Sequence, residues 1–191
     1  MMLAVHARYR GRSSRRADLV ARSAQALATL PGVGTFDVLG VEDICAVVES
    51  PESVCDLVMA LLSDGDWAIG IGVLPESNSA ATTKSVATGS LPRQARAGIV
   101  KATVQDHPKE ISTDIEAVFA LLGQVLQKRT MEGREATSLV RRGLNQNEAA
   151  EALGISKQAV SQRLQAAGWQ AETAGWQLAV NLLKRADRPS P

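Results

Sequence analysis

Neither sign of charge dominates this chain. Its 191 residues carry 21 Lys and Arg against 20 Asp and Glu, a formal net charge of +1. No global field therefore draws it to nucleic acid, which argues against a purely electrostatic coating protein and for a local basic site. Cysteine is nearly absent. Cys45 and Cys55 lie in apolar sequence, without CxxC spacing or a neighbouring His pair, and read as buried free thiols in a reducing cytoplasm rather than metal ligands or a disulfide. His6 and His107 are too isolated to suggest a metal site, so no metal and no cofactor is expected. No apolar run reaches the ~18 residues that a bilayer crossing needs. The opening MMLAVHARYRGR places its apolar run before its basic run, the reverse of a signal peptide. A cytoplasmic protein is expected.

What is present is an ordinary globular composition, 45% apolar and 21% charged, in a length that allows one or two domains with a real core. Basic residues cluster twice. Arg8, Arg10, Arg12, Arg15 and Arg16 crowd the start against Asp18; Lys128, Arg129, Arg134, Arg141 and Arg142 follow later, diluted by Glu132 and Glu135. Either run can be simply a solvated face.

The second run leads into the most specific segment, NQNEAAEALGISKQAVSQRLQAAG at 145–168. Gln146–Leu153 offers a helix with Ala149, Ala150 and Leu153 on one side. Gly154 supplies a residue able to take positive φ in a tight turn. Ile155 plugs the gap, and Ser156 is a good N-cap for a second helix. There Val160 and Leu164 face inward at i, i+4, leaving Lys157, Gln158, Ser161, Gln162 and Gln165 facing out. Small Ala150 lets two helices cross steeply. This pattern resembles the helix-turn-helix of phage repressors and bacterial regulators. The resemblance implies a positioning helix over 146–154 and a recognition helix over 156–167, with the Leu139–Arg142 segment completing the small core. Lys157, Gln158, Ser161 and Gln162 are then candidates for the major groove. Lys157, Arg163 and the backbone near Gln146 are candidates for phosphate, with Arg141 and Arg142 as helpers, and Ser156 and Gln165 complete the DNA-binding set. An ordinary helical hairpin is the alternative.

Upstream, Met2–Tyr9 reads as a strand and Ser14–Leu30 as a helix ended by Pro31-Gly32. Thr35–Leu39 and Ile44–Glu49 read as a hairpin around 40–43, and Ser50-Pro51 opens a helix. Trp67–Leu74 is an apolar strand with two glycines. Pro75–Ser90 has no periodicity and reads as a mobile loop, and Leu91–Gln105 as a helix with Ala95, Ile99 and Ala102 on one face. The sum is an α+β fold: a ferredoxin- or cyclase-like sandwich over 1–105 with its helices on one face of the sheet, followed by an all-helical domain over 110–187. A long helix carries Ile111, Ile115, Val118, Phe119, Leu122, Val125 and Leu126. A last helix, Glu172–Arg185, carries Trp176, Ala179, Val180 and Leu183.

The run VEDICAVVESPESVCDLVMAL, then WAIGIGVL and LPRQARAGI, resembles the SatD family of bacterial proteins and, more distantly, the class III nucleotide cyclases. The resemblance spans about residues 1–105. Cyclases clamp two metal ions between an aspartate after the first strand and one in the hairpin turn. Here Ala7-Arg8-Tyr9 stands at the first position, and only Glu42-Asp43 remain in the hairpin, where a solvated tip explains them equally well. Arg93 and Arg96 fall where a cyclase helix offers polar groups. Catalysis is not expected; a dimerisation or ligand-sensing domain is.

The sequence thus points to a DNA-binding transcriptional regulator or chromosome-associated factor of the nucleoid, bound to double-stranded DNA as a homodimer through the Ile111–Leu126 or Trp176–Leu183 helices. The alternatives are a nucleotide-binding or cyclase-like enzyme domain tethered to DNA, and a protein-interaction module.

Overall fold

The computed structural model describes residues 1–186. It is an α+β fold, with a five-stranded mixed sheet in the first half and a mostly helical second half. Strand β1 (Met2–Tyr9) leads to α1 (Arg16–Leu27), the antiparallel pair β2 (Asp37–Val38) and β3 (Asp43–Val48), then α2 (Pro51–Asp64) and β4 (Trp67–Leu74). These strands lie in the order β2-β3-β1-β4, with β1 antiparallel to both neighbours. That is the split β-α-β-β-α-β arrangement of ferredoxin-like domains, as the sequence predicts.

Side-chain alternation along β1 assigns the two faces of the sheet. Leu3, Val5, Ala7 and Tyr9 join Val20 and Ala24 of α1 and Val54, Leu57, Val58 and Leu61 of α2 in one core. Ala4 turns the other way and meets Cys45 and Ala87. Helix α2 starts where expected, with the Ser50 hydroxyl accepting from the Ser53 N–H at 3.1 Å ahead of Pro51.

Beyond β4 two expectations are overturned. Residues 75–90 are not a loop without structure, because Ala80–Ser90 forms helix α3 with Ser79 as its N-cap. Residues 91–105 are not a helix; an irregular stretch leads into β5 (Val100–Val104), which pairs parallel with β4. The expected placement of all helices on one face fails with them, since α3 covers the second face. Its buried side is made of Thr83 and Ala87, too small to produce an apolar period. Gly70 and Gly72 are what admit it: a Cβ on Gly72 would sit 2.8 Å from the Ala87 nitrogen and 2.9 Å from the Thr83 oxygen. In β5 the inward residues are Val100, Ala102 and Val104, a period of two, while Ile99 is exposed. A parallel β4–β5 pair requires a crossover element between them, and α3 is that element.

The second half comprises α4 (Lys109–Gln127), α5 (Met131–Arg141), α6 (Gln146–Leu153), α7 (Lys157–Ala166) and α8 (Trp169–Arg185). Ile115, Val118, Phe119, Leu122 and Leu126 of α4 and Ala179, Val180, Leu182 and Leu183 of α8 belong to the same core as the inner face of the sheet. The apolar faces expected to pair two chains are therefore buried within one. The expected domain end at 187 lies outside the described residues. Among the described residues no helix is long and apolar enough to cross a membrane.

Candidate nucleic-acid interface

Helices α6 and α7 enclose a small core of their own. Ala149 and Ala150 of α6 and Val160 and Leu164 of α7 are buried with Ala136 of α5, and Leu139, Val140, Leu153, Ile155 and Trp169 close its edges. Each helix start is fixed by a side chain. Asn145 forms a capping box: its Oδ1 accepts from the N–H groups of Asn147 and Glu148 at 2.9 and 3.1 Å, and Glu148 Oε2 accepts from the Asn145 N–H at 2.8 Å. Ser156 Oγ accepts from the Ala159 N–H at 3.1 Å. Between them Gly154 has φ 64° and ψ 32°, the left-handed turn expected of it. The Ile155 N–H then reaches back to the Ala150 carbonyl at 3.1 Å. The result is two short helices joined by a tight turn, with α5 as the third wall.

With Val160 and Leu164 inward, the outer side of α7 presents Lys157, Gln158, Ser161, Gln162 and Gln165, all exposed. These five form one polar row, as the spacing predicts. The other expected contacts divide. Ser156 is exposed, but its hydroxyl oxygen is engaged as a cap. Gln146 is half-buried at the first turn of α6, and Arg142 is exposed beyond α5. Arg163 lies 3.8 Å from Glu135 of α5. Arg141 is half exposed but engaged by its own chain: it bonds the Glu172 carboxylate and stands over the Trp169 ring, 5.8 Å from its centroid.

Sequence reasoning missed the polar link behind the motif. Arg129, in the turn between α4 and α5, bonds the second oxygen of Glu172, and its Nε donates to the Ala167 carbonyl at 2.8 Å. The carboxylate of Glu172 thus gathers two arginines, and the C-terminal end of α7 is tied to the end of α4. Lys128 was also not singled out. It borders a groove of about 310 Å³ beside Gln162 and Arg163, and so adds a cation next to the polar row. Both residues belong to the basic run noted in sequence, but only contacts across 38 or more positions separate the braced arginine from the exposed lysine.

In the first half, Glu42 and Asp43 are not a solvated hairpin tip. Asp43 Oδ1 lies 2.7 Å from His6 Nε2 and accepts from Arg8 Nε at 2.7 Å. Glu42 accepts from Arg10 at 3.2 Å and from Arg16. Three of the N-terminal arginines are thus internal partners, and Arg12 and Arg15 are exposed. Burial lowers the His6 pKa below its usual 6.5 against the opposing pull of Asp43, so the ring is held towards neutrality. Arg93 and Arg96 lie in the irregular segment before β5 rather than on a helix. There the carbonyls of Arg93 and Ala95 accept from Arg10. Among the described residues no group of three or more His, Cys, Asp or Glu side chains is arranged to hold a metal ion. Cys45 and Cys55 are free and buried, as expected of them.

No protein-family model matches this chain, and no curated protein matches it. The SatD resemblance is therefore without a family match behind it. Among solved structures the chain is similar to a regulator of polyketide synthase expression from Bifidobacterium adolescentis. The identity is 13% and the TM-score 0.25, over 98% of this chain and 82% of that one. At that TM-score the likeness carries no argument about this chain's fold or function.

Proposed function

We propose that this chain binds duplex DNA by laying α7 in the major groove, as a homodimeric transcriptional regulator or chromosome-associated protein of the nucleoid. The observation that carries the reading is the exposed row Lys157, Gln158, Ser161, Gln162 and Gln165 on a helix whose other side is closed by its own core. Short polar side chains on a rigid helix suit base edges and phosphates; an apolar partner groove would require an apolar stripe there. Gln158 and Gln162 carry amides that can bond adenine N6 and N7 together, a preference of ~1–3 kcal/mol per good pair. Lys157, Arg142 and Lys128 hold phosphates and set register without reading sequence. Arg141, bonded to Glu172, is a brace in this reading rather than a contact.

A single motif touches few bases, so useful affinity calls for two copies on half-sites about 34–36 Å apart. The apolar sides of α4 and α8 are occupied within the chain. A surface that supports pairing is the β2 edge of the sheet, where Val38, Leu39 and Val41 are exposed. The engagement of Asp43 by His6 and Arg8 supports a structural role for the first half rather than a catalytic one.

Selection from randomised duplexes, followed by alanine variants, tests the reading. Gln158→Ala or Gln162→Ala is expected to weaken the selected site by ~1–3 kcal/mol relative to random DNA, whereas Lys157→Ala weakens both alike. Equal loss on both sequences for the Gln variants removes them from base reading.

A further inference from the structure

A groove of about 490 Å³ opens between α2 and α8 at the end of α5, away from the polar row of α7. That size is ordinary for a small-molecule site. Its sides include Met59, Trp169 and Trp176, and its polar groups converge from three elements. Asp56 of α2 accepts from Trp176 Nε1 at 2.8 Å. Glu172 of α8 is 4% exposed, and Arg141 reaches in from the end of α5.

One occupant of this groove is already a cation. The Arg141 guanidinium lies against the Trp169 ring and bonds Glu172 Oε1. Its side chain is nonetheless 50% exposed, so it has a path into water. Glu172 keeps a partner when Arg141 leaves, because Arg129 holds the other oxygen. With Arg141 turned out, two indole rings and two carboxylates face the same space. Aromatic rings and carboxylates together select a charge carried on an apolar body.

We propose that this groove binds a hydrophobic monocation, such as a protonated arylalkylamine or an onium ion, which displaces Arg141 from Trp169 and Glu172 and uses Asp56 as a second carboxylate. Occupancy reaches the helix-turn-helix directly. Arg141 is the last residue of α5, and Trp169 packs against the core of α6 and α7. That coupling rests on the DNA-binding reading above; the binding site itself does not.

The test is titration of tryptophan emission in the full chain with tetraphenylphosphonium and with tetraphenylborate, ions of matched shape and opposite charge. A saturable change with the cation is expected, with binding of the anion weaker by about tenfold or more. Asp56→Asn, which keeps an acceptor for Trp176 at an exposed position, and Glu172→Gln are each expected to weaken the cation by about tenfold. Arg141→Ala removes the competitor and is expected to tighten it. Circular dichroism confirms that Glu172→Gln is folded, and Asp56→Asn carries the test if it is not. Equal or tighter binding of tetraphenylborate overturns the proposal. So does no saturable response to either ion, an unchanged affinity in Asp56→Asn, or a weaker one in Arg141→Ala. No DNA is present in this experiment, so failure of DNA binding elsewhere would sink the earlier reading and leave the groove standing.

Discussion

Arg129 and Glu172 form an ion pair almost wholly out of water, with side chains 3% and 4% exposed. It joins the α4–α5 turn to the start of α8, and Arg129 also holds the carbonyl of Ala167 at the C-terminal end of α7. A buried pair of this kind adds little over an apolar replacement of both partners, but removal of one partner strands the other charge. Arg129→Met leaves Glu172 with Arg141 alone and takes the donor from the Ala167 carbonyl, and is expected to destabilise the chain by ~1–3 kcal/mol, read from urea unfolding. A loss under ~1 kcal/mol would mean that Glu172 is solvated or that Arg141 suffices.

The turn of the motif makes a separate prediction. Gly154 has φ 64°, and a Cβ built there meets nothing within 4 Å. The cost of Gly154→Ala is thus backbone strain alone, about 1 kcal/mol, with Gly154→Asn cheaper because Asn tolerates this conformation. Gly72→Ala is expected to cost more despite its ordinary φ, because its Cβ runs into the backbone of α3. The order of the unfolding midpoints checks both. A Gly72→Ala protein as stable as the parent would contradict the close packing of α3 on β4.

His6 gives the first half a pH dependence. Its folded pKa lies below the ordinary imidazole value of 6.5 because burial disfavours the imidazolium, and Asp43 only partly offsets this. The unfolded chain then binds a proton that the folded chain resists. The native state is unpenalised above the unfolded pKa and loses stability as pH falls from there towards the depressed folded value. The thermal midpoint is expected to drop as pH falls below the ordinary imidazole value of 6.5, and His6→Gln to flatten that drop. Parallel profiles for the two proteins would assign the acid sensitivity elsewhere.

Both thiols are predicted to be inert in the native state. Burial raises the Cys45 pKa to about 11 and pushes Cys55 higher still, so neither carries appreciable thiolate at neutral pH. A colorimetric disulfide reagent is expected to label neither in the folded protein and both in denaturant. Rapid labelling of one thiol in the folded chain would contradict its burial.

The elements legible in the sequence are those specified by neighbours in the chain. The helix-turn-helix is written within 145–168: the Asn145 cap, Gly154, Ser156 and the Val160–Leu164 spacing each act within a few residues, and α6 and α7 form where the pattern places them. The split β-α-β-β-α-β order was legible for a similar reason, since its hairpin and its Ser50-Pro51 helix start are local signals. Helix α3 was not. Its buried face is Thr83 and Ala87, and its partner is a pair of glycines on β4, so the information lies in a fit between small surfaces rather than in an apolar period. Strand β5 hid behind an alanine-rich run until Gly98, with φ 81°, broke it. The assignment of Arg141 to Glu172 was likewise invisible, because it links residues that sequence keeps 31 apart.

The central claim is that α7 reads DNA. Its most direct test is fluorescence anisotropy of the full chain on labelled genomic duplex fragments across a salt series, beside the Lys157→Ala/Gln158→Ala/Gln162→Ala protein. The account predicts binding that falls steeply as salt rises, through release of counterions from phosphate, and that the triple variant loses while its circular dichroism is unchanged. Binding that ignores salt, binding that the variant retains, or no binding by the intact chain at low salt would each contradict it.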